Sequence, residues 1–217
     1  MKITRVDQFA PRNRTRLIRI STDTGIEGWA ESTLEGKPLS VPAAIDEFAE
    51  YLIGKDPLRI EHHWQQMYRS SFFRGGAHNM SAIAAINAAL WDISGKHYGV
   101  PSYMLMGGNV RDKIRVYAHW GIQDLSDEGL EASRDRLTML QKKGYTAYKA
   151  GPAGTWRGHE PPSRIDEFVK AAYTMREWVG DDVELCFDFH GKMTPGLAVE
   201  ICNEIKGMRP MFVEEPI

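Results

Sequence analysis

Two acidic residues set in apolar runs carry the chemistry this sequence could perform. Asp188 closes the run Leu185-Cys186-Phe187-Asp188-Phe189-His190-Gly191, and Glu214 lies in Met211-Phe212-Val213-Glu214-Glu215-Pro216. Side chains alternate across a strand, so Asp188 and His190 are expected on one face, with Phe187 and Phe189 on the other. A carboxylate beside an imidazole suits a metal ligand with a proton donor, or a plain hydrogen-bonded pair; the stretch alone leaves both open. In parallel β/α folds, ligands bind beyond the carboxyl ends of the strands. The four ends expected here read Ala118-His119-Trp120, Lys149-Ala150-Gly151, Asp188-Phe189-His190 and Glu214-Glu215-Pro216. Acids at two successive strand ends repel one another unless a cation sits between them, and carboxylates with open water positions suit a hard divalent ion, most simply Mg²⁺. The alternative is that Asp188 caps the next helix and Glu214 is a surface acid.

Those ends need strands and helices to position them, and the rhythm of the chain supplies both. After about residue 113 strands alternate with helices. Strands are expected at Ile114–His119, Ala147–Ala150, Val183–Phe189 and Met211–Glu214, with helices at about Ser126–Lys143, Ser163–Val179 and Thr194–Lys206. That alternation predicts a parallel sheet with crossover helices. Earlier, Thr15–Thr22 alternates, Asp23-Thr24-Gly25 reads as a turn, and Ile26–Glu31 completes an antiparallel pair. Helices are expected over Val41–Leu52, Pro57–Tyr68 and the alanine-rich Ser81–His97. The chain thus divides into an α+β domain, residues 1–112, and a β/α domain, residues 113–217.

Bulk composition restricts the function classes. The 217 residues are 42% hydrophobic and 26% charged, with a net charge of −2. Such values fit a globular protein and give no sign of a nucleic-acid or membrane-surface partner. Nothing resembles a signal peptide or a membrane span, so a cytoplasmic location is expected. Cys186 and Cys202 read as small core residues rather than a disulfide.

Motifs spread over most of the chain resemble the enolase superfamily, specifically its mandelate racemase/muconate lactonizing branch, and within it the D-galactonate dehydratase group. They include Thr24-Gly25-Ile26-Glu27-Gly28-Trp29-Ala30-Glu31, Tyr51-Leu52-Ile53-Gly54-Lys55-Asp56-Pro57 and Phe73-Arg74-Gly75-Gly76. To these add Ala85-Ile86-Asn87-Ala88-Ala89-Leu90-Trp91-Asp92-Ile93-Ser94-Gly95-Lys96, Leu105-Met106-Gly107-Gly108, Asp188-Phe189-His190-Gly191 and Phe212-Val213-Glu214-Glu215-Pro216. The resemblance implies an α+β capping domain followed by the first half, about four strands, of a modified TIM (β/α) barrel. It implies Mg²⁺ held by three carboxylates from three consecutive strands, stabilising an enediolate made by removing the proton α to a carboxylate. Asp188 and Glu214 match the first two metal ligands, and His190 matches the acid that protonates the departing β-hydroxyl. The implied reaction is dehydration of a sugar acid, an aldonate such as D-galactonate, to a 2-keto-3-deoxy acid. A homo-oligomer with a small sugar acid as its partner is expected.

Several positions depart from the branch or extend it. Racemases often carry Lys-x-Lys at the end of the second barrel strand, where this chain has Lys149-Ala150-Gly151, and a glycine cannot take a proton. Lys149 is then a catalytic or substrate-carboxylate contact, or a lysine held in a charge network. His119, Arg74 and Trp156 are further candidate substrate contacts; Trp156 lies in the loop 151–159, expected over the pocket. His62 and His63 read as surface or interface residues. Only four of eight barrel strands can be counted, so the third carboxylate and the general base are expected beyond residue 217, and residues 1–217 alone are expected to be inactive. Rival readings are a dehydratase of another sugar acid, a cycloisomerase or racemase of the same branch, or a catalytically incomplete fragment.

Overall fold

Alternation in the first 31 residues builds a three-stranded antiparallel meander: β1 (Ile3–Phe9), β2 (Leu17–Thr22) and β3 (Glu27–Glu31). The computed structural model describes residues 1–11, 14–122, 124–152 and 154–217; Arg12 and Asn13, in the expected strand region, lie outside the described residues. Register pairs Ile18 with Ala30 and Ile20 with Gly28, giving one apolar face. Its other face is polar: Arg19 pairs with Asp7 at 2.9 Å and lies over the Phe9 and Trp29 rings. The expected turn forms with Gly25 at φ 80°, a conformation glycine takes without steric cost.

The apolar face is covered by helices α1 (Ser40–Leu52), α2 (Ile60–Arg69) and α3 (Gly76–Tyr98). In α3 the residues Ala82, Ile83, Ala85, Ile86, Ala89, Leu90 and Ile93 are buried, the spacing of a single helical face. Gly28 lets that face approach the sheet, because a Cβ there would lie 2.0 Å from the Ala89 carbonyl oxygen. Asp92 accepts the Trp29 backbone N–H and the Lys96 ammonium, which also reaches the Glu27 carbonyl. These bonds satisfy groups of β3, an edge strand of the sheet. A short helix, α4 (Ser102–Leu105), follows.

From Lys113 a second compact unit begins, the first running from Met1 to Asp112. It holds a four-stranded parallel sheet in the order β4 (Ala118–His119), β5 (Ala147–Ala150), β6 (Glu184–Asp188) and β7 (Phe212–Glu214). The connections are α5 (Asp127–Ala132) with α6 (Arg134–Lys142), then α7 (Pro162–Val179) and α8 (Pro195–Ile205). Tyr148, Ala150, Leu185 and Phe187 pack against Phe168, Ala172, Met175, Ile201 and Ile205 in one core. The alternation predicted this parallel sheet with crossover helices, and four parallel β/α strands are what the resemblance to a half-barrel implies.

Four local expectations are corrected. The first barrel strand is two residues long, not six: Ile114, Val116 and Tyr117 are exposed, and the Arg115 side chain donates to the Thr146 carbonyl, which faces β6 and also accepts the Glu184 N–H. The helix expected over 126–143 breaks at Ser133, whose hydroxyl donates back to the Leu130 carbonyl while its own carbonyl accepts the Trp120 indole N–H. Asp56-Pro57 opens a turn rather than α2 itself, with Asp56 accepting from the Leu58 N–H. His62 is exposed, but His63 is a core residue, 1% exposed, between the Tyr51 hydroxyl and the Asp56 carbonyl at 2.8 Å each. A carbonyl only accepts, so Nε2 carries the proton and Nδ1 accepts from Tyr51.

Burial lowers the His63 pKa below its ordinary 6.5, against the opposing pull of the Asp56 carbonyl. The unfolded chain therefore takes up the proton first as pH falls. Stability tied to neutral His63 is complete above the ordinary value and drains away as pH drops through the lowered one. Thermal midpoints should fall between about pH 7 and pH 5, and His63→Gln should flatten that slope. An unchanged slope in the variant would remove His63 from the account.

Candidate active site

The register of the parallel sheet decides which side chains meet. Lys149 pairs with Cys186, Cys186 with Phe212, and Asp188 with Glu214. Paired residues share a face, so these five stand on the side opposite the helix-packed core. At its carboxyl end the Lys149 ammonium lies 2.8 Å from Asp188 Oδ2 and 3.0 Å from Glu214 Oε2. His190 Nε2 lies 3.2 Å from the same Asp188 oxygen, and the His190 backbone N–H donates to Asp188 Oδ1 at 3.1 Å. The four residues named first by the sequence therefore form one cluster.

His190 reaches that cluster by a different route from the one expected. The strand ends at Asp188, and His190 sits in a turn at φ 53°, so strand alternation does not place it. Glu215 at φ 40° and Gly191 at φ 63° share this left-handed region. The Phe189 and Gly191 N–H groups bond to the Glu214 and Glu215 carbonyls, which hold the turn against β7.

Burial and charge work against each other here. The Asp188 and Lys149 side chains are 8% and 14% exposed, Glu214 is 37% and His190 62%. Burial would raise the Asp188 pKa, but the Lys149 hydrogen bond and the His190 N–H hold it below the usual carboxylate range. Burial would lower the Lys149 pKa, yet its bonds to Asp188 and Glu214 keep it well above the usual lysine range. Both groups are thus charged at neutral pH. Beneath them the Cys186 thiol, free and fully buried, is pushed up to about 11, chiefly by burial.

The other expected contacts do not join the cluster. His119 pairs with Lys149 in the ladder and is exposed, and its carbonyl accepts from Arg136. Arg74 lies in the N-terminal unit, exposed, with its guanidinium over the Tyr68 ring. Trp156 is 5% exposed and packs edge-on against Phe168 and Phe189. An indole is large and apolar, and burying it in that aromatic cluster outweighs displaying it in a loop. Ala153, in the same loop, lies outside the described residues.

One residue that touches the site, Tyr117, was not singled out. The Tyr117 ring lies 5.4 Å from the Lys149 ammonium and edge-on to Phe212. Its parity with His119 was the available signal. At Gly151 a Cβ would lie 2.8 Å from the Asp188 carbonyl oxygen. The lysine absent from position 151 is therefore also a side chain for which the fold leaves no room.

Asp188 and Glu214 offer carboxylate oxygens, the donors a hard divalent cation prefers, and they already hold one positive group between them. Their chemistry fits such an ion. Among the described residues, no group of three or more His, Cys, Asp or Glu is arranged to hold a metal.

Residues 10–107 match the N-terminal domain of mandelate racemase / muconate lactonizing enzyme, and residues 132–217 match the enolase C-terminal-like domain. The chain belongs to this enolase-superfamily family. It is 41% identical to a D-galactonate dehydratase of Variovorax paradoxus (strain S110) and 40% identical to one of Pectobacterium atrosepticum, each over all 217 residues. The chain spans 56% of the length of each of these relatives. Among solved structures, an enolase from Agrobacterium radiobacter with sodium and L-malate bound superposes with a TM-score of 0.86 at 33% identity, covering 100% of this chain and 55% of that one. A member of the enolase superfamily from Salmonella Typhimurium gives 0.88 at 26% identity, covering 100% and 61%. No helix among the described residues is long and apolar enough to cross a membrane.

The contact at Gly151 is open to test. Gly151→Ala presses a Cβ onto backbone of the neighbouring strand, so it should cost about 1–3 kcal/mol. Gly196→Ala, in α8 with nothing within 4 Å, should be neutral or slightly stabilising. Urea midpoints of the two variants would check this, and equal midpoints would contradict the close approach.

Proposed function

We propose that this chain supplies the first half of the catalytic centre of a Mg²⁺-dependent sugar-acid dehydratase acting on an aldonate such as D-galactonate. The observation that carries the reading is the pairing of Asp188 with Glu214, with His190 Nε2 3.2 Å from Asp188. The names of the Variovorax and Pectobacterium relatives support the substrate class. In this reading Asp188 and Glu214 are metal ligands. When bound, the divalent cation would supply positive charge for the substrate carboxylate as the adjacent α-proton is lost.

The chain's own residues then have separate tasks. Lys149 adds a second fixed positive charge toward a carboxylate-bearing ligand. His190 is the acid for the departing β-hydroxyl: Asp188 engages Nε2, which leaves Nδ1 free to face a ligand. The half-exposed ring is open to a ligand. Neither the third carboxylate nor the base that takes the α-proton is assigned to this chain. A racemase reading is weaker, because the close approach at Gly151 leaves no place for the second base.

Two variants, tested in a protein that also supplies the third carboxylate and the base, separate metal from acid. With D-galactonate and Mg²⁺, His190→Asn should reduce 2-keto-3-deoxy acid formation by ~10²–10⁴-fold. Exchange of the substrate α-proton for solvent deuterium should continue. Asp188→Asn should abolish both, together with Mg²⁺ binding measured by calorimetry. Dehydration by His190→Asn at close to the parent rate would refute the acid assignment, and unchanged Mg²⁺ affinity in Asp188→Asn would refute the ligand assignment.

A further inference from the structure

The β6–β7 register creates an electrostatic problem that the sheet must solve. Asp188 and Glu214 are direct partners on adjacent strands, which lie about 4.8 Å apart. Like charges placed opposite one another destabilise a sheet. The Asp188 side chain is 8% exposed and Glu214 is 37%, so water screens that repulsion only from the Glu214 side. Lys149 reaches up from the residue pair below and bridges both carboxylates at 2.8 and 3.0 Å. The Tyr117 ring lies 5.4 Å from its nitrogen, a second favourable contact for a cation.

We propose that Lys149 is the internal counter-cation of the site, a positioning residue that keeps Asp188 and Glu214 side by side. Its ammonium and a divalent cation compete for that place. The competition follows from the oxygens. Asp188 Oδ2 already meets two nitrogens, Lys149 Nζ and His190 Nε2, and Oδ1 accepts the His190 backbone N–H. A cation approaching through Oδ2 has to move the ammonium. This second half rests on the reading of Asp188 and Glu214 as metal ligands; the counter-cation half does not.

Thermal melts of the purified protein in chelator test the first half by a reversal of sign. Lys149→Met keeps the stem and removes the charge, and should lower the midpoint by roughly 5–15 °C. Lys149→Arg should remain close to the parent. Glu214→Gln should lower the midpoint in the parent, where the ammonium loses a charged partner, but raise it in Lys149→Met, where it relieves repulsion. A purely structural lysine gives no reversal. If Lys149→Met does not fold, folding of the double variant supports the proposal and its failure to fold overturns it. A midpoint for Lys149→Met equal to the parent's, or a Glu214→Gln loss in both backgrounds, also overturns it.

Millimolar Mg²⁺ tests the second half: it should raise the Lys149→Met midpoint more than the parent's. Reversal of sign with no Mg²⁺ shift in either protein would uphold the counter-cation and remove the metal reading. A Mg²⁺ shift in the parent without the reversal would uphold the metal reading and remove the counter-cation.

Discussion

Two carboxylates standing opposite each other at the ends of β6 and β7 set the terms for everything around them. In the low-dielectric surroundings of Asp188 the pair is stable only with positive charge close by. That charge comes from β5, whose Lys149 lies one register step below and has the reach to bridge both acids. Reaching it demands that β5 and β6 lie tightly together at their ends. Gly151 makes that possible, because its missing Cβ leaves room for the Asp188 carbonyl. The charge arrangement and the backbone approach are thus one constraint seen from two strands.

The same constraint accounts for the unusual backbone. His190 and Glu215 adopt left-handed conformations that cost a non-glycine residue roughly 1–2 kcal/mol each. Glu215 directly follows Glu214, and His190 comes two residues after Asp188. The turn is held because the Phe189 and Gly191 N–H groups find carbonyls on the β7 side and the His190 N–H finds Asp188 Oδ1. An extended His190 would lose that last bond. The strain and its compensation are found together at the strand ends, where chemistry is expected.

What was legible in the sequence follows from the range of the forces involved. Periodicity is local, so the buried stripe of α3, the alternation of β2 and the β/α rhythm after residue 113 could all be read directly. The cluster of Lys149, Asp188, Glu214 and His190 was legible because parallel strands gather their carboxyl ends at one edge. Other features depend on partners distant in the chain. The break at Ser133 is tied to Trp120, whose indole N–H reaches its carbonyl. Burial of His63 depends on Tyr51 and on the Asp56 carbonyl. No window of sequence shows those meetings.

The burial of Trp156 serves the site from behind. Phe189 lies between Asp188 and His190 in sequence and is 1% exposed, pointing away from the carboxylates. Trp156 and Phe168 pack edge-on against it, and Phe168 also contacts Phe187. Pinning Phe187 and Phe189 on the core side fixes the strand end from behind, where apolar contact is strong and non-directional. The residues between them are then left to face the opposite side, and the turn at His190 inherits that anchoring. The loop tryptophan grips the back of the strand end whose front carries Asp188. Rigid apolar packing on one face of β6 is what allows charged, strained chemistry on the other.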